Sequence, residues 1–316
     1  MKVKRTIPVY IIILILGVLG ASISSHADGS IVLIDDIGDD HGSGAITYPT
    51  DLIFTKGMFD LKSVMIDSDS NDVRFTVEFQ TDLPRLPTLK ISELYSLSDI
   101  VTQDFYGQNV DIYIDTGDPE DTGVTWLMPG RGATLAAGFR WNRAVILTPQ
   151  PAVARSKLKR LLANGILHHS RTSTQKSMSR KEAVIKADDF IQKHVLFPES
   201  VNQNGKTLTF TVTESFFGSD TIITWRYQVI VTGAAFSDSF DLARKLVPQS
   251  VEGNLMVREI TPVGNQWTFG GASGIPGESN IIDMLVPPGY TQVNILSKYS
   301  KELSCRIPMI QIPETP

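Results

Sequence analysis

The chain's densest run of side chains able to do chemistry is Asp35-Asp36-Ile37-Gly38-Asp39-Asp40-His41-Gly42. Carboxylates this close repel one another unless protons or a cation neutralise them. Gly38 and Gly42 let the backbone curl, so that carbonyl and carboxylate oxygens converge. Calcium takes about six to eight oxygens at about 2.3–2.6 Å, and such a loop supplies several. Tyr48-Pro49-Thr50-Asp51 follows, and Phe59-Asp60 opens a predicted strand that can bring one more carboxylate across the fold. Spacing alone fits an acidic surface loop equally well.

A second acidic stretch is a decoy. Asp67, Asp69 and Asn71, with Glu78 in the twelfth place, loosely match a helix-loop-helix calcium loop. The required glycine is replaced by Asp72, and Glu78 belongs to an alternating strand, so the spacing predicts a hairpin turn. Catalytic signatures are weak. Gly271-Ala272-Ser273-Gly274 lacks the spacing of a nucleophile elbow. No phosphate loop, dinucleotide fingerprint or His-Glu-x-x-His helix occurs. Carboxylates are numerous enough for a glycosidase pair, but number alone does not set two of them across a sugar ring. Haem would need axial His or Met; His41, His194 and several Met are present, with no spacing that pairs them.

Of the four tryptophans, Trp225 alternates with apolar residues and is expected in the core. Trp126, Trp141 and Trp267 sit beside Gly-, Pro- or Arg-rich turns. An aromatic face there can stack on a sugar ring, although core packing is the commoner fate of tryptophan. These three are the candidate ligand-binding residues.

Strands must position these groups. Val73, Phe75, Val77 and Phe79 alternate with Arg74, Thr76, Glu78 and Gln80, one face buried and one wet. Val110, Ile112 and Ile114 repeat the pattern, as do Leu208, Phe210 and Val212, and Ile223 to Val231. Asp67–Asp72 and Asn202–Gly205 read as turns. Short strands without a βαβ rhythm predict an all-β antiparallel sandwich. A helical insertion over about 152–196 interrupts them. Ser179-Arg180-Lys181-Glu182 is a capping box opening a helix with Val184, Ala187, Ile191 and Val195 on one face. A shorter helix is predicted from Ala154 to Ala163, with Gly165 as its stop. The basic residues from Arg155 to Lys181 fit either a solvated edge or a docking patch for an anionic partner.

Composition sets the compartment. Lys2, Lys4 and Arg5 precede an apolar run from Ile7 to Ala21, and Ser25-His26-Ala27 has the small-x-small form of a signal-peptidase site. Residues 1–27 therefore read as a signal peptide, with an uncleaved anchor as the alternative. Loss of those three cations takes the formal net charge from −5 to −8, which suits an exported, soluble chain and disfavours nucleic acid. Asp28 to Asp121 holds 20 acidic and five basic residues, and the rest of the mature chain 14 and 21, so the acids concentrate around the candidate cation loop. A single cysteine, Cys305, allows no internal disulfide and reads as a small buried residue near a C-terminal strand.

These motifs resemble a known family. Asp36-Ile37-Gly38-Asp39-Asp40-His41-Gly42 with Tyr48-Pro49-Thr50-Asp51 and Gly57-Met58-Phe59-Asp60-Leu61 resembles the opening of the C-terminal domain of glucodextranase, a DOMON-like β-sandwich. Asp111-Ile112-Tyr113-Ile114-Asp115, Trp141-Asn142-Arg143-Ala144, Thr224-Trp225-Arg226-Tyr227 and Ile282-Asp283-Met284-Leu285 continue it in order. The resemblance implies one immunoglobulin-like or DOMON-like sandwich over 28–316 that works without catalysis. It implies a polysaccharide or cell-envelope glycan as partner, with an envelope protein or haem as alternatives. It also implies a calcium site at Asp36, Asp39, Asp40 and Asp60.

Overall fold

The computed structural model describes residues 23–25, 30–69, 71–84, 103, 105–172, 178–218, 221–235 and 254–312. The expected signal segment, apart from 23–25, lies outside these residues.

One sheet has the order β1 (Ile23–Ser25), β2 (Ile31–Ile34), β3 (Leu61–Asp69), β4 (Asp72–Phe79), β10 (Thr207–Thr213) and β9 (Asn202–Asn204), all antiparallel. A second runs β12 (Ile281–Met284), β11 (Arg226–Gly233), β5 (Gln108–Asp115), β7 (Arg143–Leu147) and β8 (Val195–Leu196), with β14 (Ile310–Gln311) also on β11. A small parallel pair joins β6 (Ala133–Leu135) to β13 (Cys305–Ile307). The chain is thus an all-β sandwich with a helical insertion.

Alternation builds the first sheet as expected. Val73, Phe75, Val77 and Phe79 are buried, while Asp72 before them and Arg74 between them are exposed. Val64 faces Val77 and Ile66 faces Phe75 across the β3–β4 hairpin. Phe75 stacks on Phe210 of β10 with ring centroids 5.1 Å apart. The decoy loop is the tip of that hairpin, and Glu78 stays in β4, where it bonds Lys62 and Lys206.

The second sheet corrects the expectation of a wet face. Every residue of β5 and β7 is buried. Val110, Ile112 and Ile114 pack against the first sheet, together with Val229 and Val231 of β11. Tyr113, Ala144, Ile146 and Ile230 pack on the other side, under α1 (Pro151–Thr172) and α2 (Arg180–His194). Ala154 and Leu158 of α1 and Ile191 of α2 complete that second core.

The insertion folds as a helical hairpin. The Ser179 capping box is present, with Glu182 N donating to Ser179 Oγ at 3.2 Å and Ser179 N to Glu182 Oε2 at 2.8 Å. The expected stop at Gly165 is wrong: α1 continues through it to Thr172. A single helical glycine costs only about 1 kcal/mol, which packing against α2 outweighs. Ala163 buried against Ala183 and Ala187 marks that contact. Pro151 opens α1, where its missing N–H costs nothing. Cys305 is buried at the start of β13. Among the described residues no helix is long and apolar enough to cross a membrane.

Candidate metal centre

Three elements deliver carboxylates to one end of the sandwich. β2 ends at Ile34, and Asp35 extends its ladder, donating its N–H to Lys62 O at 3.0 Å. The chain then turns through Gly38, whose φ of 91° is one that L side chains rarely adopt. That turn carries Asp39 and Asp40 back over β3. Asp60 stands at the entrance of β3 and accepts the Gly38 N–H at 2.7 Å. From the opposite sheet β12 contributes Asp283, which accepts Leu61 N at 2.5 Å and Met284 N at 2.8 Å. Oxygens of Asp35, Asp39 and Asp283 lie within 4.8 Å of one another.

A rigid frame surrounds them. Tyr48 donates its hydroxyl proton to Asp40, and the Phe59 N–H donates back to that hydroxyl oxygen at 3.3 Å. Tyr48, Phe59 and Phe269 meet edge to face, with centroids 5.1–5.8 Å apart. Gln292 donates through Nε2 to Asp39 O and Ile282 O, at 2.5 and 3.2 Å, tying the acidic loop to β12. Gly42 has φ 55°, and a Cβ there would lie 2.7 Å from Ile281 O, so the loop approaches β12 more closely than any other residue allows.

The electrostatics of the cluster are unbalanced. Asp35, Asp40, Asp60 and Asp283 are at most 4% exposed. Asp35 Oδ2, Asp39 Oδ1 and Asp60 Oδ1 are buried without a hydrogen-bond partner among the described residues. No Lys or Arg there pairs with Asp35, Asp39, Asp60 or Asp283; the nearest ionic contact is His41, half-exposed and 3.9 Å from Asp40. Burial first, then the charge of Asp36, lifts Asp39 to about 6. Burial, then Asp40, lifts Asp60 to about 7, although the Gly38 amide and Lys56 pull the other way. Burial and the neighbouring carboxylates push Asp35 and Asp283 well above the ordinary range. Buried charge of one sign is stable only with protons or a cation. All the donors are oxygens, the preference of hard cations.

The sequence-predicted set is therefore partly redrawn. Asp39, Asp40 and Asp60 belong to the cluster. Asp36 is half-buried and acts on Asp35 and Asp39 through its charge, outside the converging trio. Asp35 and Asp283 complete the trio and stood outside the predicted ligands. A signal for Asp283 existed: it is the lone carboxylate in the apolar run Ile281–Val286.

The aromatic candidates divide. Trp141 is 0% exposed, donates Nε1 to Trp126 O at 2.7 Å and packs on Tyr113. With no free face it cannot stack on a sugar, which corrects the expectation. Trp126 is half-buried, edge-on to Trp141 and tilted on Phe190 of α2 with centroids 5.6 Å apart. Trp267 is half-buried against the inter-sheet core, so these two do not form one platform. Trp225 is buried as expected. His41 and His194 lie in separate surroundings, His194 with Nδ1 2.9 Å from Asn142 O and beside Asp121.

A protein-family model described as the C-terminal, SLH-like binding module of glucodextranase matches residues 31–308. No curated protein matches the chain.

Proposed function

The chain belongs to the glucodextranase C-terminal binding-module family, and from that premise we propose that it is a carbohydrate-binding module of the cell envelope, without catalysis of its own, exported through its N-terminal segment and stabilised by calcium. The observation that carries the carbohydrate reading is the match to a binding module over residues 31–308. Export rests on the Lys2–Arg5 cations, the Ile7–Ala21 run and the Ser25-His26-Ala27 triplet. Cleavage there would remove β1 and leave β2 as the edge of its sheet.

Calcium is supported by the orphaned buried oxygens of Asp35, Asp39 and Asp60. Asp35, Asp39 and Asp283 would hold the ion, with Asp60 at hand and Asp36 and Asp40 adding charge. Bound calcium would offset two of the cluster's negative charges and join β2, the start of β3 and β12. Trp126 and Trp267 remain the aromatic surfaces offered to sugar.

Binding of the full chain, in calcium, to α-glucans, β-glucans and peptidoglycan tests the reading. Retention on at least one class is expected, and silence across all of them contradicts it.

A second reading, docking to an anionic envelope partner, is favoured by α1, which carries Arg155, Lys157, Lys159, Arg160 and Arg171 and no acid. Deleting the hairpin would uncover the second core, so charge reversal at Arg155 and Arg160 is the cleaner test. Loss of envelope retention with unchanged glycan binding would establish this reading.

A further inference from the structure

A polar cleft of about 260 Å³ opens away from the acidic cluster, at the end of β5. Asp115 closes β5; Asp118 and Asp121 follow in its loop; Arg140 precedes β7; Arg226 opens β11; Gln311 comes from β14. We propose that this cleft is the sugar subsite of the module and that it takes a neutral oligosaccharide. The inference rests on the carbohydrate reading above and gives it a location.

Three features carry it. The first is charge balance. Three carboxylates face two guanidinium groups in the lining, and Asp121 is further matched from behind by Arg143 at 2.9 Å and Lys193 at 3.3 Å. A balanced wall selects neither an anion nor a cation. It suits hydroxyl groups, which donate to carboxylates and accept from guanidinium. Arg226 and Arg143 also pair with Asp115 and Asp121, unlike the cluster around Asp39.

The second is spare bonding capacity in the two guanidinium groups. Arg226 reaches Asp115 Oδ2 at 3.4 Å and Gln311 Oε1 at 3.3 Å, both long contacts. Arg140 bonds Thr122 O at 3.0 Å through one nitrogen. Each guanidinium has about five N–H donors, so most remain for a ligand. Asp115 and Asp118 are oriented by the Gly117 and Glu120 amides, at 3.1 and 2.9 Å.

The third is an aromatic row leading from the rim. His194, outside the lining, contacts Asp121 and lies tilted on Phe190 with centroids 4.7 Å apart, and Phe190 continues to Trp126 at 5.6 Å. All three rings are half-buried. A polar cleft for hydroxyls beside apolar rings suits a chain of sugar units, whose faces are apolar and edges polar.

The test is calorimetric titration of the full chain, in calcium, with isomaltotetraose, maltotetraose and cellotetraose as neutral probes and tetragalacturonate as the acidic one. The wild type is expected to bind a neutral probe. The double variant Arg140→Ala, Arg226→Ala should weaken that binding by about tenfold or more, since each loses charged hydrogen bonds. Asp118 is exposed, so Asp118→Asn leaves the fold intact while weakening the same probe. The unfolding midpoint should stay calcium-responsive in both variants. Wild-type affinity in both variants would overturn the cleft and leave the carbohydrate reading standing. Preference for tetragalacturonate would overturn the neutral class. Absence of binding by any probe to the wild type would overturn the cleft as a neutral-oligosaccharide subsite, and the carbohydrate reading falls with it only if the polysaccharide and peptidoglycan retention test is also silent.

Discussion

Two groups of buried carboxylates meet the second sheet and solve one problem differently. Asp111 of β5, on the helix-covered side, and Arg131 are each 1% exposed in their side chains. Arg131 grips Asp111 with two bonds of 2.7 Å and donates a third to Leu255 O at 2.7 Å. Tyr113 donates to the same carboxylate at 2.7 Å and accepts Met128 N at 2.9 Å. That charge is neutralised within the chain. Asp35, Asp60 and Asp283 accept hydrogen bonds from backbone amides, but among the described residues neither they nor Asp39 pair with a Lys or Arg, and three oxygens of the cluster have no partner there. The first arrangement is structural because it is complete. The second becomes complete only by taking up protons or a cation, which is the ground on which we propose a cation site there.

Breaking the complete site should have the largest effect. Arg131→Met leaves Asp111 buried and unpaired, at an expected loss of about 3–5 kcal/mol. The unfolding midpoint should fall in calcium and without it alike; rescue by calcium would erase the distinction between the sites.

The incomplete site should respond with opposite sign in two conditions. Asp35→Asn keeps an oxygen to accept Val286 N and turns the orphaned Oδ2 into an amide nitrogen. Without calcium the variant should be as stable as the wild type or more so, since one buried like charge is gone. In calcium it should lose most of the ion's stabilisation, which for a ligand at a hundredfold excess over its Kd is about 2.7 kcal/mol. Destabilisation of equal size in both conditions would make the carboxylate merely structural.

Protons compete for the same oxygens. In the calcium-free chain Asp39 and Asp60 titrate at about 6 and about 7, above the ordinary value of 3.8. The folded state then binds more protons than the unfolded state between about pH 4 and pH 7, so these groups lower stability as pH rises through that window. Calcium must displace those protons, so its stabilising effect should grow over the same range. Midpoints measured with and without calcium should separate from pH 5 to pH 8; convergence would contradict the assignment.

The smallest effect is expected at a third carboxylate. Glu78 sits between Lys62 at 2.9 Å and Lys206 at 2.6 Å near the surface. Glu78→Gln should cost at most about 1 kcal/mol, with no dependence on calcium. A larger loss would show that solvent screens this pair less than the buried sites imply.

Legibility in the sequence followed locality. The run Asp35–Asp40 is contiguous, and its density marked a carboxylate cluster and a candidate cation site; Asp60 followed from its place at a strand start. Asp283 was hidden because it joins from the other sheet through tertiary contact, with only its isolation in an apolar run to mark it. Alternation located β4, β5, β10 and β11, yet it misread β5, since Asp111 looks like a solvent-facing residue until Arg131 is brought onto it. Trp141 beside a turn looked available, but local spacing does not reveal what α2 and Tyr113 place around its ring. Gly165 looked like a helix stop, and packing between two helices overrode that local preference.

Calorimetric titration of calcium into the calcium-free full chain, beside Asp35→Asn, tests the central claim most directly. A saturable one-site isotherm is expected in the wild type, and it should be lost or strongly weakened in the variant. No binding to the wild type, or equal binding to both, would reduce the cluster to a set of protonated buried acids and contradict the account.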